Sequence, residues 1–478
     1  MAVGAEGPTG PPTLEARLGL LDATTLVAGS MIGSGIFIVS ADIARRLPAP
    51  GWLLVVWALA GALTVGAAVS YGGLAAALPR AGGQYVYLAE LHGPLWGFLY
   101  GWTLVLVIQT GTIAAVAVAF ATFAGTLWPG LSPDRRLLAA GPLALSPTTL
   151  VAVTVIVVLT ALNVRGLEVG RVVQNVFTSA KVATLVAVVV LGLALGSPAA
   201  RAANLALPPF GTLPLRQALP QLGAAMVGAL FAADAWANVT FAAGEVREPR
   251  RTVPRALLLG TALVCLLYLL TNVAYLQVLP LTGSPAGADV FARGIQHATA
   301  DRVGAAVMER LAGGARGAQL MALGVMISTF GCANGLILAG ARVAWAMARD
   351  GLFFSRAGRL NAAHVPGAAL WLQCAWASLL ALSGRYGDLL DYVIIAELLF
   401  YLLTVAGLFA LARRTGERPR GVGYPWLQIA YLLAVTVLIG DLLVTKPAYT
   451  WGSIAVVASG LPFYGAWRRR AVAGLRAA

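Results

Sequence analysis

Lys181 is one of only two lysines in 478 residues, and it stands in the apolar run VFTSAKVATLVAVVV. About ten residues of its span precede it, so an α-helix rising ~1.5 Å per residue puts its ammonium near the middle of a roughly 30 Å hydrocarbon layer. Snorkelling from that depth falls short of either surface. An ammonium held there must be paired or give up its proton. The run carries no carboxylate, so free backbone carbonyls are its natural partners. A second stretch can supply them: Gly29–Phe37 reads GSMIGSGIF, three glycines and two serines inside another apolar run. Gly29 and Gly33 stand four apart, a spacing that lets two membrane helices pack closely. The other reading is a helix broken at Gly33-Ser34-Gly35, whose freed N–H and C=O groups must face protein, water or a ligand because lipid cannot satisfy them.

Acids also fall inside apolar runs, Glu397 and Asp441 among them, and Asp234 has the most informative surroundings, LFAADAWANVTFAAGEVREPRRTVPRAL. Its alanines and Gly228 allow close packing, while Phe231, Trp236 and Asn238 add bulk and polarity. Downstream, Glu245, Arg247, Glu248, Arg250 and Arg251 read as a solvated charge run that caps the next helix. Cys265, Cys332 and Cys374 lie in predicted spans without metal-ligand spacing and read as packing residues. His92 and His364 fall at inner span boundaries and His297 in an outer loop. No nucleophile-and-base set or HExxH pattern occurs, so an enzyme is not expected and no metal or cofactor is called for.

These residues sit in a chain that is 59% hydrophobic and 11% charged, with mean hydropathy +0.82, which makes it an integral membrane protein. Twelve stretches reach or approach the length of a span: Leu18–Ala44, Trp52–Leu78, Leu95–Trp128, Thr148–Asn163, Val172–Leu195, Leu219–Ala243, Ala256–Val278, Gln319–Ala348, Ala368–Ser383, Leu389–Leu411, Trp426–Val444 and Trp451–Trp467. The short connections leave no room for a soluble domain. Counting loops alternately gives about 20 arginines on the N-terminal side and about 12 basic residues on the other, which places both termini in the cytoplasm. The net charge of +14 is an orientation signal and a contact for anionic lipid; no basic module exists to hold nucleic acid. The first residues, 1–14, lack the basic start and apolar core of a signal peptide and read as a disordered tail.

GSMIGSGIF followed by FAADAWANVTFAAGEVREPRRTVPRAL resembles the amino acid–polyamine–organocation superfamily of transporters, in its L-type amino acid transporter branch. Further similarity runs through PRAGGQYVYLAELHGPLWGFLYGW at Pro79–Trp102, NVFTSAK at Asn175–Lys181 and STFGCANGLILAGARVAWAMARDG at Ser328–Gly351, so it covers nearly the whole chain.

The resemblance implies an all-α membrane fold of about twelve helices: two inverted five-helix repeats at 15–200 and 215–412, then two extra helices and a C-terminus at 420–478. It implies that helices one and six are discontinuous. Backbone N–H groups at Ser34, Gly35 and Ile36 would hold a substrate carboxylate, and carbonyls of Met31, Phe231 and Ala232 its ammonium. Phe231 matches an aromatic gate, Asp234 belongs to the same substrate region, and Ile108, Gln109, Thr112 and Trp236 would line the side-chain pocket. Lys181 matches a lysine standing where sodium-coupled relatives of the fold bind sodium, bonded to a carbonyl near Gly33 and to the Ser328 hydroxyl.

The function implied is sodium-independent transport of amino acids, neutral L-amino acids foremost, by exchange or proton-linked uptake. Where the family often reads aromatic-Asp-Gly-Trp-Asn, this chain has Ala233, Asp234, Ala235, Trp236 and Ala237, so the family's contacts there do not carry over. No cysteine occupies the outer loop between the third and fourth spans, so no disulfide-linked heavy subunit is expected. A carrier of polyamines or other organic amines and a non-transporting membrane sensor are the alternatives; polyamine specificity should need an anionic pocket, for which Asp234 alone is thin.

Overall fold

The computed structural model describes residues 14–128, 130–131, 137–140, 143–382, 386–417 and 423–477. Of the expected tail, only residue 14 falls within them. Helices account for most of the described chain: α1 (Leu20–Met31), α2 (Val39–Arg46), α3 (Pro50–Ala77), α4 (Gln84–His92), α5 (Pro94–Thr103), α6 (Gln109–Leu127), α7 (Pro147–Val164) and α8 (Leu167–Ala194). After α9 (Pro198–Ala206) come α10 (Leu215–Ala232), α11 (Asn238–Phe241), α12 (Pro249–Val278), α13 (Val290–Arg293), α14 (Val303–Ala312) and α15 (Gly314–Arg349). The chain ends with α16 (Gly367–Ala381), α17 (Tyr386–Thr415), α18 (Trp426–Thr445) and α19 (Pro447–Ala477). A small antiparallel ribbon of β1 (Leu138–Ala140) and β2 (Leu143–Leu145) lies between α6 and α7.

Among the described residues, eight helices are long and apolar enough to cross a membrane, and they coincide with eight of the twelve expected spans. Their outward faces leave residues such as Val158, Val190, Leu266 and Val437 exposed, as a lipid-facing surface requires. This is a multi-pass membrane protein. α5 and α6 join through a π-helical turn at Leu104–Ile108 into one element of 34 residues. The ninth stretch forms the apolar but shorter α16, and the twelfth forms α19.

The two remaining stretches are interrupted. α1 stops at Met31, the chain runs extended through Ile32, makes a tight turn at Gly35–Phe37 and resumes as α2. α10 stops at Ala232, and the segment before α11 carries Ala235 at φ +65°, a left-handed conformation that costs a non-glycine residue about 1 kcal/mol. α1 is enclosed by α8, α12 and α15; α10 packs on α2, α3, α17 and α18. The breaks touch: a Cβ placed on Gly35 would lie 2.5 Å from Ala232 Cβ and 2.8 Å from its Cα.

One end of the bundle is closed by backbone and charge together. Arg17 and Leu18 N–H donate to the Glu245 carbonyl (2.9 and 2.8 Å), and Arg247 N–H donates to Leu18 (2.8 Å). The Glu245 carboxylate accepts two bonds from Arg342 of α15, Nε to Oε2 at 2.7 Å and Nη2 to Oε1 at 2.9 Å, with both side chains 1% exposed. Part of what read as a solvated charge run is therefore a buried pair. Removing one partner of such a pair leaves the other charge uncompensated, at about 3–5 kcal/mol. Arg342→Met should thus lower the thermal unfolding temperature in detergent markedly, and Glu245→Met in the same chain should restore part of it.

Candidate functional site

A helix end leaves its last carbonyls without partners along the chain, and in a membrane interior water cannot take their place. At the end of α1 neighbouring helices supply the donors. Lys181 Nζ of α8, fully buried, donates to Gly29 (2.6 Å) and Ile32 (2.9 Å) carbonyls. Ser328 Oγ of α15 reaches Ile32 (3.0 Å) and Gly33 (2.9 Å), and Cys332 Sγ donates to Ser30 (2.9 Å). Lys181 and Ser328 thus meet on the Ile32 carbonyl rather than bonding to each other, because the extended backbone points that oxygen between α8 and α15. Gly331 makes the room: a Cβ there would lie 3.3 Å from Lys181 Nζ. Cys332, read from sequence as packing, is a donor to the break.

The Met31 carbonyl has a partner that the sequence did not signal. Tyr268 of α12 places its hydroxyl 3.1 Å from Met31 O and 3.1 Å from Ala232 O, so one phenol spans both breaks. These are two of the three carbonyls expected to receive an ammonium. The third, Phe231 O, accepts the Asp234 N–H at 3.2 Å. On the donor side, Phe37 N–H closes on Ser34 (3.0 Å) and Ile38 N–H on Gly35 (3.1 Å), while the N–H groups of Gly35 and Ile36 make no backbone bond among the described residues. Donors and acceptors therefore lie together where Gly35 meets Ala232.

Around the second break, Trp236 packs edge-on to Tyr71 (4.7 Å between ring centroids) and against Tyr401 (5.2 Å). Phe231 lies buried in the last turn of α10. In the stretch Ile108–Thr112, Gln109 Nε2 bonds the Leu336 carbonyl of α15 (2.7 Å), Ile108 is buried in the π turn, and Thr112 Oγ1 bonds Ile108 O of its own helix (2.7 Å). Val116 of α6, one turn along from Thr112, reaches the first break, 3.8 Å from a Cβ placed on Gly33. Among the described residues, no three His, Cys, Asp or Glu side chains converge as metal ligands would.

Residues 18–459 match the family model for amino acid permeases. The chain belongs to the amino acid permease family. This permease is 28% identical over 469 residues to the serine/threonine exchanger SteT of Bacillus subtilis (strain 168), covering 96% of the chain and 98% of that relative. It is 28% identical over 461 residues to the human large neutral amino acids transporter small subunit 2, covering 95% and 81%, and 26% identical over 460 residues to the b(0,+)-type amino acid transporter 1 of Mus musculus, covering 95% and 88%.

The closeness of the two breaks gives a direct test of where the permease binds its substrate. Gly35→Val would force the break apart from Ala232 and stiffen a backbone that must stay unwound. Binding of an accepted amino acid, followed by thermal shift, should weaken at least tenfold in a variant that still folds.

Proposed function

We propose that this permease is a sodium-independent carrier of amino acids, neutral L-amino acids foremost, working by alternating access as an exchanger or proton-linked symporter. The observation that carries this reading is the meeting of Gly35 and Ile36 N–H donors with the Met31 and Ala232 carbonyls at two helix breaks. A zwitterion needs both kinds of group, and unwound backbone offers them without a charged side chain. In this reading the substrate carboxylate sits on the N–H groups of Ser34, Gly35 and Ile36, and its ammonium displaces the Tyr268 hydroxyl. Phe231 covers the site as the gate, and Trp236 with Ile108, Gln109 and Thr112 bounds the side-chain pocket once the breaks part. The relatives named for serine, threonine and large neutral amino acids support the substrate class.

The same proposal divides the chain into inverted repeats at 15–200 and 215–412, with two extra helices and the C-terminus at 420–478, twelve spanning helices in all. The interruptions at the start of each repeat support that division. The membrane is the cell membrane, and the termini face the cytoplasm. Transport is its whole activity, without enzymatic chemistry. It acts without a disulfide-linked subunit; Cys265, Cys332 and Cys374 all stand inside helices.

Two measurements in liposomes of purified protein test the coupling. Lys181 puts a fixed positive charge among the oxygens that a sodium ion would need, and like charges at such a distance repel strongly away from water. Replacing sodium by choline should leave uptake within a factor of two; a strict sodium requirement would refute the reading. Lys181→Ala leaves the Gly29 and Ile32 carbonyls short of a donor, at about 1–3 kcal/mol, and only in states where the tie is made. Uptake should fall below a tenth of wild type while substrate binding stays detectable. Arginine should not rescue it, its planar fork being too large for a cavity shaped to an ammonium.

A further inference from the structure

Glu397 of α17 is 4% exposed, and its Oε2 has no hydrogen-bond partner among the described residues. It lines the same small cavity as Asp234, 6% exposed, at the break after α10. Asp234 Oδ1 also accepts the Tyr401 hydroxyl at 2.7 Å, one helical turn along from Glu397. Against both carboxyl groups lies a cavity of about 20 Å³, room for about one water, lined further by Thr64, Trp236 and Tyr431. Among the described residues no Lys, Arg or His lines it. Among the described residues the other titratable side chains around the pair include Tyr401 of α17 and Tyr431 of α18, which line the cavity, and Tyr71 of α3, Tyr100 of α5 and Cys332 of α15 beyond them, phenols and a thiol that are neutral near pH 7.

Two carboxylates that line one cavity with room for about one water, with no counter-ion among its lining residues, cannot both stay ionised there. The cavity is too small for the amine of a substrate, whereas a proton takes up no space.

We propose that Asp234 and Glu397 together hold one proton and carry it across the membrane with the substrate. This rests on the transport reading above and adds to it the site and the coupled ion. In one orientation the pair takes a proton from water and forms a carboxyl O–H bond. When α10 moves against α17 that bond opens to water on the other side, where the proton leaves, and the pair returns without it while the two carboxylates are held apart. Lys181 plays no part in this transfer; its ammonium is held by carbonyls of α1, on another face of the site.

The test uses full-length permease in liposomes loaded with a pH-sensitive dye, with labelled L-threonine and L-leucine as probes. An acidic exterior should raise the initial uptake of an accepted probe at least threefold over equal pH, and addition of that probe should acidify the lumen. Glu397→Gln should lose both responses, and Glu397→Asp, which keeps a carboxyl, should regain part of them. Infrared spectra of the purified protein at pH 7 should show a protonated-carboxyl band that Glu397→Gln removes, a readout that needs no transport. Uptake that proceeds with no lumen acidification and no response to the gradient would overturn the proposal while leaving the transport reading intact. So would wild-type proton movement in Glu397→Gln, or an infrared spectrum without the band. Failure of both probes to enter, or to exchange, at every pH would count against the transport reading itself and remove the carrying role with it.

Discussion

Everything at the centre of this protein depends on satisfying the carbonyls at the broken end of α1. In a soluble protein neighbouring helices would be needed for this only if the break were buried, because water would otherwise serve. In a bilayer it cannot serve, so α8, α12 and α15 each contribute a donor: Lys181, Tyr268, and Ser328 with Cys332. Each donor fixes the distance of its helix from α1. The close approach of these helices, the glycine at position 331 and the burial of a lysine all follow from that single requirement.

The donors differ in how firmly they hold. The ammonium makes two charge-assisted bonds to adjacent turns of backbone and lies at the negative end of the α1 dipole, the strongest arrangement available there. The Tyr268 hydroxyl has one proton for two carbonyls, so it can serve only one fully at a time. A site held this way is rigid on its α8 side and exchangeable on its α12 side. That is the division a carrier needs, since the ligand must replace a protein group at modest cost and later be replaced by it.

The second break is built on different physics. Its backbone is kept out of helix by Ala235 in a left-handed conformation, and beside the Ala232 carbonyl its polar groups include the side chains of Asp234, Glu397 and Tyr401. Aromatic rings of Tyr71, Trp236 and Tyr401 surround them, and the rings exclude water and heighten the cost of any unshared charge. Meanwhile Glu245 and Arg342 close one end of the bundle with a charge pair that is neutral as a unit. Backbone polarity at one break, side-chain polarity at the other and a closed end together define a compartment whose contents can be exchanged only by moving helices.

Sequence alone determined the membrane setting and placed Lys181 deep in a span, because both follow from local composition: apolar length and a count of residues along a helix. The clustered glycine and serine of Gly29–Phe37 allowed either close packing or a break, and the break after α10 was expected only through the family resemblance. Glu397 was visible as an acid inside an apolar run, and Asp234 as another, 163 positions apart in the chain. Nothing in either stretch said that they line one cavity. That pairing, the placement of Tyr268 across both breaks, the turning of Gln109 toward α15 and the convergence of Lys181 with Ser328 on one carbonyl were decided by tertiary structure. The physical reason is that a helix fixes only the spacing of its own side chains. Which face meets which neighbour depends on how helices far apart in sequence pack, and on the backbone groups that packing must satisfy.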